Sequence, residues 1–473
     1  LRIIKSVGRI ALLTGLGQVF FTSLVGYFIG LCLGFSSLHS FYIAVALTFS
    51  STIIIVKLLS DKKEIDSLHG QIAIGFLIVQ DIVVILVMII LSAIGKQGEQ
   101  SLTYDIIKTL LSGLLLLGVA LASMKWVIPR LSRFLAKSQE LLTLFAIAWA
   151  ITLASVGELM GFSGEVGAFL AGVSLASSEF KDVISSRLVS LRDFLLLFFF
   201  VNLGSELDLS VIGSQLNAAI IFSLFVLIGN PIIVLIIMGR MGYRKRTSFL
   251  AGLTVAQISE FSLIFAGLGL AVGHLTDEVV GLITLVGLIT IGISTYLILY
   301  SYNIYEFISP ALQIFEKKNP DKENFTNTNG KGAFDIIIFG VGRFGKEIAD
   351  ILDEYPEFDY LGVDFDPENI KKLRAQKKQV VYGDIEDPEF LDQIPLHTAK
   401  CIINTISDVE PSKHLMKALK RAQFKGQIIL TAEKDSDYEL LSECGADKVI
   451  QLYPLAAQNF YNDYFKKIMP ELK

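Results

Sequence analysis

Charge is scarce in this chain. Only 18% of its 473 residues are Asp, Glu, Lys or Arg, against 52% apolar residues that include 33 Phe. A soluble domain does not carry that balance, so the bulk of the chain reads as a polytopic membrane protein. Cysteine is nearly absent as well. Cys32, Cys401 and Cys444 show neither CxxC nor CxxH spacing, which excludes a disulfide framework and a zinc site. They read as small apolar residues, the last two in a reducing cytosol. Leu1 is followed at once by RIIKSVGRI and an apolar run, which does not form the charged, apolar and small-residue pattern of a signal peptide; the chain is expected to be a fragment whose N-terminal portion is missing. A potassium filter is also missing. Leu24 to Phe28, LVGYF, lacks the Thr and the final Gly of TVGYG and lies inside an unbroken apolar run.

Apolar segments of about spanning length fall at 10–33, 40–58, 71–94, 105–127, 140–159, 164–178, 190–204, 211–238, 248–272 and 278–300. Lys and Arg are almost missing from every second connection. The loops at 33–40, 95–104, 157–165, 203–212 and 272–279 hold one, Lys96, whereas the alternate loops hold 17. A miscounted span would have scrambled that asymmetry, so ten spans are expected, with the basic loops and everything after residue 300 in the cytoplasm. Three regions follow: 1–300 a transmembrane domain, 301–333 a surface helix and linker, and 334–473 a domain of different, mixed composition. The net charge of −5 averages over unlike parts and points to no nucleic-acid partner.

Within the segment Ile72 to Ser92 one carboxylate, Asp81, stands in an apolar run. An acidic side chain at mid-membrane costs roughly 2.5–3.5 kcal/mol on insertion scales, and such groups usually mark ion or proton paths. Gln80 beside it offers a neutral amide oxygen. Two other segments are interrupted by small polar residues: Thr48, Ser50, Ser51 and Thr52 in one, Thr254, Gln257, Ser259 and Glu260 in the other. Clusters of this kind suit broken membrane helices, whose freed backbone groups need partners. A pair of them fits the inverted-repeat transporter plan with crossed discontinuous helices.

From Phe334 the chain reads as α/β. The runs DIIIFG, YLGVDFD, QVVYGD, KCIINT, QIILTA and DKVIQL alternate with helical stretches, as in a parallel sheet. The first leads into Gly340-Val341-Gly342-Arg343-Phe344-Gly345, and Asp364 follows at the end of the next run. Strand, glycine turn, helix, strand and acid in that order form a dinucleotide fingerprint, in which the pyrophosphate sits on a helix N-terminus and the acid binds ribose hydroxyls. No second catalytic domain follows, which favours a regulatory ligand over redox chemistry.

LTFSSTIIIVKLL, GFLIVQDIVVI, SGEVGAFLAGVSLA, LRDFLLLFFFVNLGSELDLS and AQISEFSLIFA, with DIIIFGVGRFGKEIADIL, VDFDPEN and VVYGDIEDPEFL after them, together resemble the cation:proton antiporter-2 family, in particular its Kef-type potassium efflux branch. The resemblance implies a polytopic α-helical membrane domain with NhaA-like inverted repeats and crossed discontinuous helices. Its thirteen-helix core would leave three N-terminal helices absent here. It implies a homodimer in the inner (plasma) membrane that moves like an elevator, with the regulatory subunit left open. Potassium, or sodium, would bind at Asp81 and Gln80 near Ser51, Thr52, Gln257 and Glu260. An adenine nucleotide (NAD(H), AMP or ATP) would bind at Gly340, Gly342, Arg343, Phe344, Gly345, Asp364 and Asp384. Where glutathione-gated members carry a His-Ala-Leu-Glu loop, this chain has SSEFKDVISSRLVSLRD.

The expected mechanism is competition of proton and cation for one carboxylate, giving electroneutral one-for-one antiport gated by nucleotide through the 301–333 linker. A sodium/proton antiporter of the same fold, a nucleotide-gated cation channel and a membrane-anchored oxidoreductase are the alternatives.

Overall fold

The computed structural model describes residues 2–94, 102–136, 138–160, 164–205, 209–317, 333–391 and 393–465. Lys96, residues 318–332 of the linker and residues 466–473 lie outside them. All ten apolar segments are helical where described. The first is α1 (Arg2–Cys32), which runs unbroken through LVGYF, and the second is split into α2 (Ser37–Ala46) and α3 (Thr52–Asp61). Then come α4 (Leu68–Ile94), which carries Asp81, and α5 (Leu102–Ala122), which continues into α6 (Ile128–Leu135). Next are α7 (Gln139–Leu159), α8 (Gly164–Leu175) and α9 (Lys181–Ser205). The last three segments are α10 (Leu209–Leu224) with α11 (Asn230–Arg240), the split pair α12 (Lys245–Leu253) and α13 (Glu260–Ala271), and α14 (Asp277–Leu299). Six helices among the described residues are long and apolar enough to cross a membrane, and α2, α8 and α13 are shorter apolar helices. Their exposed Leu, Ile and Phe, such as Phe20 and Leu115, are what a lipid-facing surface requires.

The order helix, broken helix, helix therefore occurs twice, as α1–α4 and as α10–α14. Both breaks are built alike. At each, a threonine hydroxyl, Thr48 or Thr254, bonds back to the carbonyl three residues earlier at 2.7 Å. At each, a serine, Ser51 or Ser259, caps the helix that restarts. The two broken segments touch each other: α2 packs on α13, and the Ser262 hydroxyl donates to the Ala46 carbonyl at 2.6 Å.

After α14 a separate helix, α15 (Ser301–Leu312), packs against α12, burying Ser301, Tyr305 and Leu312. Among the described residues the α/β part has six strands, one for each β-rich run of the sequence: β1 (Ile336–Phe339), β2 (Tyr360–Asp364), β3 (Val380–Tyr382), β4 (Cys401–Asn404), β5 (Gln427–Ala432) and β6 (Lys448–Gln451). All are parallel and ordered β3-β2-β1-β4-β5-β6. That is the doubly wound Rossmann order, whose ligand crevice lies where the winding reverses, at the carboxyl ends of β1 and β4.

Candidate functional site

In the membrane domain Asp81 faces the first break. The Thr52 hydroxyl donates to its Oδ2 at 3.0 Å, so the carboxylate lies against the N-terminus of α3, where unpaired amides favour negative charge. Glu260 is the first residue of α13, buried, with the Ser259 hydroxyl on its Oε2 at 3.4 Å. Gln80 does not point at Asp81. Its Oε1 accepts from the Ser50 amide at 3.3 Å and its Nε2 donates to Gln18 Oε1 at 2.6 Å, so it braces the break instead. Gln257 has the matching task at the second break, accepting from the Ser294 hydroxyl at 2.8 Å, while Thr290 takes the Ile258 amide at 3.3 Å. Gln18, Thr290 and Ser294 went unnoticed in the sequence, where each is one polar residue in a long apolar helix.

In the soluble domain a cleft of about 580 Å³ opens at the ends of β1, β2, β3 and β4. Gly340, Gly342, Arg343, Phe344, Asp364 and Asp384 all line it. The three glycines have different tasks. Gly340 takes a φ of +82°, which a side chain rarely adopts. A Cβ on Gly342 would meet nothing within 4 Å, so that position faces open space where a ligand can approach the backbone. A Cβ on Gly345 would sit 2.0 Å from the Gly340 carbonyl oxygen; this glycine allows close packing of α16 (Arg343–Leu352) and does not line the cleft. Asp364 accepts from the Asp366 amide and from the Asn369 side chain, each at 2.9 Å. Burial pushes its carboxyl above the usual range, opposed by these hydrogen bonds.

The family model for the transmembrane sodium/hydrogen exchanger matches residues 1–299, and the one for the TrkA-N domain matches residues 336–452. The chain belongs to the sodium/hydrogen exchanger family. Among the relatives of this exchanger is YbaL of Escherichia coli strain K12, named a cation/proton antiporter, 25% identical over 95% of this chain and 82% of the relative. KefB of Alkalimonas amylolytica, named a K(+) efflux antiporter, is 25% identical over 92% of this chain and 66% of the relative. KefC of Shigella flexneri serotype 5b, named a glutathione-regulated potassium-efflux system protein, is 26% identical over 86% and 64%. The chain thus spans just under two thirds of the latter two.

The membrane and α/β domains meet at Asp384. Arg246, at the start of α12, reaches out of the membrane domain and pairs through Nη1 with Asp384 Oδ2 at 2.5 Å, both side chains largely shielded from solvent. Burial opposes ionisation of Asp384, but the Arg246 charge and hydrogen bond hold its carboxyl below the usual range. Arg244 bonds Gln393 at 2.5 Å, and Lys63, just past the end of α3, pairs with Asp408 at 2.6 Å. Behind Arg246, Tyr302 stacks under its guanidinium and donates to Glu64 Oε1 at 2.6 Å. Two of the basic loops, 57–70 and 239–247, therefore touch the α/β domain, at the ends of both broken helices.

Glu386 lies in this contact. Burial, and then the charge of Asp384, push its carboxyl up to about 7. A carboxyl raised in the folded protein holds a proton that it would release on unfolding, so its contribution to stability is fully present below its ordinary range and fades as pH rises through about 7. Protection factors at the amides of residues 244–247 are expected to be higher near pH 6 than near pH 8. Glu386→Gln should remove most of that difference; a difference that persists places the pH response elsewhere.

Proposed function

We propose that the chain is a monovalent cation:proton antiporter of the inner (plasma) membrane, exchanging potassium for protons at Asp81 by alternating access. An adenine nucleotide in the cleft of the cytoplasmic domain gates it. The observation that carries the exchange reading is the pairing of an intramembrane carboxylate with a broken helix. Asp81 meets the N-terminus of α3 through Thr52, and the neighbouring Gln80 amide is neutral and already engaged at both ends. A proton and a hard monovalent cation compete for the same oxygens, and each leaves the carrier neutral enough to cross. Broken helices lined by carbonyls and hydroxyls are the usual site of such exchange in transporters. The preference for potassium rests on the relatives named as potassium efflux antiporters, as does the homodimer on the family resemblance.

The gating reading rests on Asp384, which lines the cleft and is bonded from behind by Arg246 of the membrane domain. This contact offers a shorter route than the linker. A ligand whose amino or hydroxyl groups need the Asp384 carboxylate must share it with Arg246.

The test is the protein in liposomes with a trapped pH dye. Potassium pulses should drive proton movement, and sodium pulses should do so more weakly. The reverse order makes the chain a sodium/proton antiporter, and cation flux without proton movement makes it a channel.

A further inference from the structure

A directed chain of hydrogen bonds joins both helix breaks to the residue beside Asp81. Its direction is set by the Ser50 main-chain amide, which can only donate, so Gln80 must turn its Oε1 to Ser50 (3.3 Å) and its Nε2 to Gln18 (2.6 Å). Gln18 then accepts through Oε1 and donates through Nε2 to Thr22 Oγ1 at 3.1 Å. The Thr22 hydroxyl donates to Asn230 Oδ1 at 2.8 Å. That leaves Asn230 Nδ2 to donate to two main-chain carbonyls, Leu47 at 3.2 Å and Val255 at 3.4 Å. Leu47 lies at the first break and Val255 at the second. The path therefore starts on the first break and forks at Asn230, one branch returning to the first break and the other reaching the second. Gln18, Thr22, Gln80 and Asn230 are at most 1% exposed, and none of them titrates.

We propose that Gln18, Thr22 and Asn230 are positioning residues for cation exchange, closing with Gln80 a neutral ring that holds the two helix breaks in one register around Asp81. The inference rests on Asp81 as the exchange carboxylate. Uncharged amides can satisfy broken backbone at mid-membrane without the desolvation cost of an ion. Because each amide donates at one end and accepts at the other, no member can reverse without leaving a buried donor facing a donor. Removing one member leaves the next with an unmet partner, so distant members act together. Ser50 is two residues from Thr52, which holds Asp81, so slack in the ring reaches the carboxylate as misplacement of its hydroxyl partner.

The test is potassium-driven proton movement in liposomes, with the KM for potassium and the thermal unfolding temperature read for each variant. Thr22→Val keeps the side-chain shape and removes the hydroxyl; it should raise KM roughly tenfold with little change in unfolding temperature, and Thr22→Ser should restore the wild-type KM. Gln18→Leu and Asn230→Ala do not touch each other, so independent sites would multiply their effects, whereas one ring predicts a double variant no worse than the worse single. Multiplying effects, or a wild-type KM in Thr22→Val, overturn the ring. Exchange that survives Asp81→Asn would instead sink the assignment of the exchange carboxylate, which this set of variants reads separately.

Discussion

Asp81→Asn is expected to reduce potassium-driven proton movement to the level of protein-free liposomes. Asparagine keeps the shape and can still hydrogen-bond the Thr52 hydroxyl that reaches position 81 at 3.0 Å. What it loses is the negative charge and the titrating proton. Without the charge the site has no counter-ion for a dehydrated cation, and without the proton it has nothing to exchange. Folding should be preserved, because a neutral side chain in this setting costs less to bury than a carboxylate. Glu260→Gln serves as the contrast. Glu260 accepts locally from Ser259 at the start of α13. If Asp81 alone carries the exchange, Glu260→Gln keeps the activity. Loss of exchange in Glu260→Gln with retention in Asp81→Asn would exchange the two roles.

Arg246→Gln should tighten nucleotide binding by roughly 5- to 150-fold, the ordinary size of an allosteric coupling, and flatten the response of flux to nucleotide. The reason is reciprocity. If the membrane domain draws on the Asp384 carboxylate through Arg246, then docking and ligand compete for it, and whatever nucleotide does to docking, docking does to nucleotide. The measurement is equilibrium binding of an adenine nucleotide to the full chain in detergent, beside flux in liposomes. Gly342→Trp is the control, because it fills the open space at that backbone position and should abolish binding directly. An unchanged affinity in Arg246→Gln, together with lost binding in Gly342→Trp, would mean that the two sites do not communicate through this pair.

Much of the architecture was legible because the bilayer and the parallel sheet both impose strong sequence rules. Spanning helices need unbroken apolar runs, and the loops between them sort Lys and Arg by side. Two of these basic loops touch the α/β domain, through Lys63, Arg244 and Arg246. The breaks were visible as Ser, Thr, Gln and Glu at depths where a continuous helix has no use for them. The glycine turn was visible as a spacing, although spacing alone did not separate Gly342, which faces the cleft, from Gly345, which packs α16.

The chemistry-bearing residues were thus determined by the sequence itself: one carboxylate in an apolar helix, two polar interruptions, and a strand–glycine–helix turn followed by an acid. Their physical signature is local, since each violates or satisfies a rule within a few residues of itself. Only the tertiary structure decided the partners. Gln80 turns away from Asp81 because Ser50 and Gln18, 30 and 62 residues distant, claim its amide. Asn230 joins two breaks, with 183 residues between it and Leu47, and Arg246 finds Asp384 across 138. A hydrogen bond depends on donor and acceptor meeting at about 3 Å, and no local pattern records which distant groups the fold brings to that distance.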